Sequence, residues 1–239
     1  GEVAGLLLRR RPLLEVLGLL AAGVHYQGMQ ILPASDLTTQ VMAAGAAVVL
    51  AAVAAFPSKK PGLVLGGLVL VGLALRARGL WTWQIDPGVR DMLALIQSAH
   101  DSLLTGENPY QIHQMQKGSQ VPLTYLPGLW LLYMTPDLLG LDIRWMGLVA
   151  DAAVVASLWW VASGSRSGVD GGFAWPQSAA VGLGAVWLFV PTVHWNGIYA
   201  EPHLWWGVLA LWLASVLRRR WWVAAALTGL AVATRHFSV

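Results

Sequence analysis

The sequence predicts an all-α, polytopic transmembrane protein, and three observations carry that expectation. The chain is 56% hydrophobic and only 11% charged, where a soluble domain carries about 25% charged residues. Apolar runs of about 20 residues recur, long enough to cross roughly 30 Å of hydrocarbon as helices. Short Arg/Lys clusters punctuate those runs, as loops on the cytoplasmic side do. The short alternating segments of a transmembrane barrel are not seen. Counting the runs gives about seven spans. The net charge of +3 comes mainly from the basic clusters, so it reports topology, and no nucleic-acid partner is expected. The 239 residues include no cysteine, which excludes disulfides and thiolate metal sites, and 14 tryptophans, which suit interfacial belts and pocket walls.

Taken in order, Arg9, Arg10 and Arg11 precede a first apolar run, Pro12 to Pro33. It is too long for a signal peptide and reads as a retained anchor. A second run covers Leu37 to Phe56 and closes at Lys59-Lys60. With both basic clusters cytoplasmic, residues 1–61 form a two-helix hairpin, and residues 62–239 form the membrane core. A third run, Gly62 to Leu80, then exits, with Arg76 and Arg78 near its end, snorkelling or facing an anionic ligand. The stretch Pro122 to Pro136 is interrupted by three prolines and reads as an interfacial helix. Further spans follow at Ile143 to Ser163, Pro176 to Val193, Leu204 to Leu217 and from Trp221 onward, with the Arg218–Arg220 triplet inside. The start at Gly1 and the apolar run still open at Val239 are expected of a piece of a longer chain.

The long polar interval is Asp86 to Tyr125, which this topology places outside the cytoplasm. Within it, Met92, Leu95, Ala99 and Leu103 recur at helical spacing, giving an amphipathic helix from Asp91 to Leu104 of about 21 Å. Gly106 supplies a stop and Asn108-Pro109 a turn. Asp91 would then lie near the membrane boundary, where a carboxylate can take a proton from a hydroxyl. It also reads as an N-terminal helix residue favoured by the macrodipole. A second polar loop, Pro191 to His203, gathers His194, Asn196, Tyr199, Glu201 and His203 beside Trp195, Trp205 and Trp206. That composition suits a sugar, and equally an ordinary interfacial loop. His194 and His203, nine residues apart, do not match a metal-ligand spacing, so no metal is expected. Asp151 lies seven residues after Arg144 in one run. It is a functional candidate by its position within a span, or one half of a structural pair with a neighbouring helix. Arg144 near the outer edge is placed to hold a lipid phosphate, as are Arg235 and His236.

The order Asp91, amphipathic helix, LLTGENPY at Leu103–Tyr110 and VPLTYLPGLW at Val121–Trp130 resembles the GT-C class of membrane glycosyltransferases, in particular bacterial and archaeal mannosyl- and arabinosyltransferase-like proteins. The resemblance covers roughly residues 62–235. The family's double proline is Leu126-Pro127 here, and its often aromatic helix positions are Leu95 and Ile96. The resemblance implies a transferase that moves a sugar from a polyprenyl-phosphate donor to a lipid, glycan or protein acceptor hydroxyl. Asp91 would be the base, at the extracytoplasmic face of a prokaryotic inner membrane. Tyr110, Tyr125, Arg144, Asn196, Glu201, His203, Arg235 and His236 are the expected substrate contacts, with no cofactor and no metal. Two other readings stay open: a transporter or channel subunit lined by His25, Asp151 and Glu201, and a non-catalytic accessory subunit of a larger membrane complex.

Overall fold

The computed structural model describes residues 61–82, 84–85, 92–115, 118–163, 183–184, 187–189 and 202–234. The expected N-terminal hairpin, residues 1–61, lies outside them but for Pro61. The chain is mostly helical. Along it run α1 (Pro61–Thr82), α2 (Met92–Leu104), strands β1 (Ile112–Gln114) and β2 (Gln120–Pro122), then α3 (Pro127–Leu138), α4 (Trp145–Ser163), α5 (Pro202–Leu217) and α6 (Trp221–Ala233).

These bounds fall close to the apolar runs read from the sequence, but the expectation of a polytopic, roughly seven-span membrane protein is corrected. Among the described residues no helix is long and apolar enough to cross a membrane. The reasons are local. The 22 residues of α1 include Arg76 and Arg78, so its uninterrupted apolar part, 61–75, is about 22 Å long. The 19 residues of α4 carry Asp151 a third of the way along. The other helices have 12 to 16 residues, or about 18–24 Å, short of a 30 Å core.

Helix ends are set by specific backbone chemistry. Gly106 sits at φ 82° after α2. Its N–H donates to the Leu103 carbonyl at 3.1 Å, and the Glu107 N–H donates to Ser102 at 2.7 Å, the paired bonds of a Schellman stop. Gly140 ends α3 the same way, with φ 69° and bonds to Asp137 and Pro136. Helix α5 uses this motif with an arginine in the glycine position. Arg219 has φ 55°, its N–H donates to Val216, and that of Arg220 donates to Ser215. Helix α3 starts at Pro127, which needs no N–H there and follows an extended Leu126.

The polar interval builds the main core. From α2 come Leu93, Leu95, Ile96 and Ala99, from the hairpin region Met115, Leu123 and Tyr125, and from α3 Leu129, Trp130 and Tyr133, with Ile143 and Leu204 closing the cluster. The expected apolar face of α2 is therefore rotated: Leu93 and Ile96 are buried, while Leu103 faces out. Strands β1 and β2 pair antiparallel with His113 opposite Val121.

Elsewhere small residues let helices approach. A Cβ added at Gly207 in α5 would lie 2.8 Å from the Ala150 Cα and 3.0 Å from its carbonyl in α4. One at Gly128 in α3 would lie 2.6 Å from the Ala233 carbonyl of α6. The obstacle is backbone, which cannot rotate aside as a side chain can.

Two stability outcomes follow from these contacts. Gly207→Val should destabilise the fold by about 1–3 kcal/mol, as overpacking does, seen as a lower urea midpoint at unchanged slope. Arg219→Gly removes left-handed strain from a β-carbon-bearing residue and should raise stability by about 1 kcal/mol, seen as a higher midpoint in the same titration.

Candidate functional site

Two buried polar clusters and one partly exposed turn hold the side chains that can do chemistry. The turn is Gly106–Tyr110. Asn108 Oδ1 accepts the Tyr110 N–H at 3.0 Å, closing an Asx-turn. Gln111 Nε2 donates to Glu107 Oε2 at 2.9 Å and to Ser102 Oγ at 3.0 Å. His113, buried on β1, braces the turn from beneath. Its Nε2 lies 2.8 Å from the Pro109 carbonyl, and its Nδ1 2.8 Å from Ser98 Oγ on α2. A carbonyl only accepts, so Nε2 is the donor to Pro109. Trp130 of α3 donates its indole N–H to the Tyr110 hydroxyl at 3.1 Å and meets that ring edge-on. The two stretches that carry the family resemblance are thus joined directly.

Behind the turn, His100 is fully buried. Its Nε2 lies 2.7 Å from the Trp130 carbonyl and its Nδ1 3.4 Å from Asp137 Oδ2. It ties α2 to both ends of α3.

The second cluster centres on Asp151 of α4, 1% exposed. Trp187 donates its indole N–H to Oδ1 at 2.8 Å. Arg76 Nε of α1 lies 3.4 Å from Oδ2, and His203 Nε2 of α5 lies 3.5 Å from Oδ1. The Arg76 side-chain nitrogens make no hydrogen bond among the described residues, so the ion pair carries the guanidinium alone. Burial pushes Arg76 down to about 10, partly opposed by Asp151, and it stays charged at neutral pH. Of the two readings of Asp151, the geometry is that of a structural pair between helices. Arg76 neither snorkels nor reaches the surface.

The expected site residues are distributed unevenly. Tyr110 stands exposed on the turn. Tyr125, expected to touch substrate, is fully buried in the core with its hydroxyl against the Met92 sulfur. Its place is set by packing. Arg144, expected to hold a lipid phosphate, is buried just before α4. Its Nε lies 2.9 and 3.0 Å from the Asp142 carboxylate oxygens, and one terminal nitrogen donates to the Leu80 carbonyl at 2.7 Å. A neighbouring carboxylate and the last turn of α1 occupy its donors. His203 belongs to the Asp151 cluster. Asp91, Asn196, Glu201, Arg235 and His236 lie outside the described residues, as does His25.

His100, His113, Asp137 and Asp142 were not singled out in the sequence. The signal for His100 was present: Leu93, Ile96 and His100 share one helix face, which puts the histidine on the buried stripe. His113 carried none, because its role depends on a strand pairing across a turn. Among the described residues no group of three or more His, Asp or Glu side chains is placed to hold a metal ion.

Asp151→Ala should cost about 3–5 kcal/mol by leaving Arg76 charged and unpaired in the interior. The double substitution Arg76→Met with Asp151→Leu should recover most of that loss, because two apolar groups need no partner. Chemical denaturation of the two variants beside the parent checks both. Scans against family models, curated proteins and solved structures found no match to this chain.

Proposed function

We propose that the chain is a glycosyltransferase that moves a sugar from a polyprenyl-phosphate donor to an acceptor hydroxyl, with Asp91 as general base. The observation that carries this reading is the union of the Gly106–Tyr110 turn with the Pro-rich segment through the Trp130–Tyr110 hydrogen bond, while His113 of β1 braces the turn at Pro109. Two stretches picked out by their resemblance to one family are braced into a single unit. Asp91 directly precedes Met92, the first residue of the helix at the heart of that unit.

The reaction needs little from the protein beyond position and a base. The Asp91 carboxylate takes the proton of the acceptor hydroxyl. The acceptor oxygen forms its bond to the anomeric carbon as the carbon–oxygen bond to phosphate breaks. Polyprenyl phosphate leaves with the electron pair, as an anion already stable in water. Attack opposite the leaving group inverts the anomeric centre. Tyr110, exposed and held by Trp130, offers an aromatic face and a hydroxyl to a sugar. Asn196, Glu201, Arg235 and His236 complete the proposed contact set.

A lipid-linked donor also needs an apolar seat. Leu138, Leu139 and Leu141, at and after the end of α3, and Trp81 in the last turn of α1 are all exposed. The Arg144 bond to Leu80 holds the chain after α3 against that end of α1. This apolar lip supports a donor with a hydrocarbon tail.

Asp91→Asn in the full protein, assayed for sugar transfer from a polyprenyl-phosphate donor, should lower turnover by about a hundredfold or more, the usual contribution of a general base. Undiminished turnover would remove Asp91 from that role.

A further inference from the structure

The Arg218–Arg220 triplet is used neither by the core nor by the proposed reaction, yet it is the densest charge among the described residues. Helices α4 and α5 run parallel. Gly207 faces Ala150 at one level, and the Arg218 guanidinium lies 5.9 Å above the Trp160 ring further along. The C-terminal ends of α4 and α5 and the start of α6 therefore meet at one end of the helical layer. Large apolar side chains stand exposed there: Trp159, Leu213, Leu217, Trp221 at 62% and Trp222 at 89%. Arg219 and Arg220 are exposed among them. Among the described residues none of the three arginines is paired with a carboxylate, and residues 202–234 contain no Asp or Glu.

We propose that this end of the molecule binds the headgroup layer of an anionic lipid surface. Guanidinium groups match lipid phosphates bidentately. Indole rings favour the boundary between headgroups and hydrocarbon. A patch that places both at one level, with no acidic side chain among 202–234, meets the two demands of such a surface together. Arg219 adds an independent indication. It occupies a left-handed position where glycine would fit without strain, and the strained residue presents one more cation to the patch. A second copy of the chain fits this face poorly, because a two-fold contact centred on it would bring two arginine triplets together.

The proposal does not depend on the transferase reading, and its test is a binding measurement. The full protein is mixed with vesicles of phosphatidylcholine alone, or of phosphatidylcholine with phosphatidylglycerol, and recovered by flotation. The parent should favour the anionic vesicles. Each arginine near such a surface accounts for about a fivefold preference. Replacing Arg218, Arg219 and Arg220 together by Gln should therefore lower anionic partitioning about a hundredfold and leave the zwitterionic value unchanged. Arg219→Gly should lose about fivefold while folding more stably, which separates lost binding from lost folding. Trp221→Ser with Trp222→Ser should weaken binding to both vesicles. Parent protein that ignores both vesicles, a triple variant that binds anionic vesicles as the parent does, or a dimer that the tryptophan substitutions dissociate would each overturn the proposal.

Discussion

The Asp151 carboxylate is the constraint on which the helical layer depends. It sits on α4, takes a hydrogen bond from Trp187, and faces Arg76 of α1 and His203 of α5. Three helices and the 187–189 segment are thereby fixed to one pair of oxygen atoms. A buried ion pair of this kind is weak evidence of net stability, since desolvation of both ions offsets most of their attraction. Its effect is on geometry. Any sliding or rotation of α1 against α4 separates the charges in a medium that penalises separation, so the register of the layer is held by that penalty.

The second half of the architecture is held differently. The unit formed by α2, the hairpin and α3 has a dense apolar core, and its polar contacts join backbone carbonyls to histidines. His100 reaches the Trp130 carbonyl and His113 the Pro109 carbonyl. His100 reaches its carbonyl across 30 residues of sequence and His113 across four. The outcome is a rigid turn at Gly106–Tyr110 on a packed base, the kind of support that a binding residue such as Tyr110 requires. Arg144 links the two halves. It holds Asp142 beside it and the Leu80 carbonyl of α1, which makes it a joint between the helical layer and the unit above it.

The two proposals occupy different parts of the molecule and use different chemistry. Sugar transfer is proposed at the rigid turn, with the apolar lip at the far end of α3 as the seat for the donor's tail. Lipid attachment is placed where α4, α5 and α6 meet, where tryptophans and arginines stand at one level. A transferase whose donor is anchored in a bilayer gains from a second attachment, because tethering raises the effective concentration of enzyme at the surface that holds its substrate.

Much of the element map was legible in the sequence alone. The apolar runs located α1, α4, α5 and α6 to within a few residues. Gly106 marked the end of α2 because only a residue free of a β-carbon takes φ 82° without strain. Asn108-Pro109 marked the turn for an equally local reason. What those runs pack against is not a local property. A run of Leu, Val and Ala has the same pattern whatever it faces, and the meeting of Arg76 with Asp151 is a property of the fold, not of either run. The same holds for Tyr125 and Arg144. Their residue types suit a substrate; the fold gives Tyr125 the Met92 sulfur and Arg144 the Leu80 carbonyl, both far along the chain, beside Asp142 two residues away. Local backbone chemistry is written in adjacent residues. The partner of a buried charge is chosen by the tertiary fold, because the energy at stake depends on which distant group shares its interior.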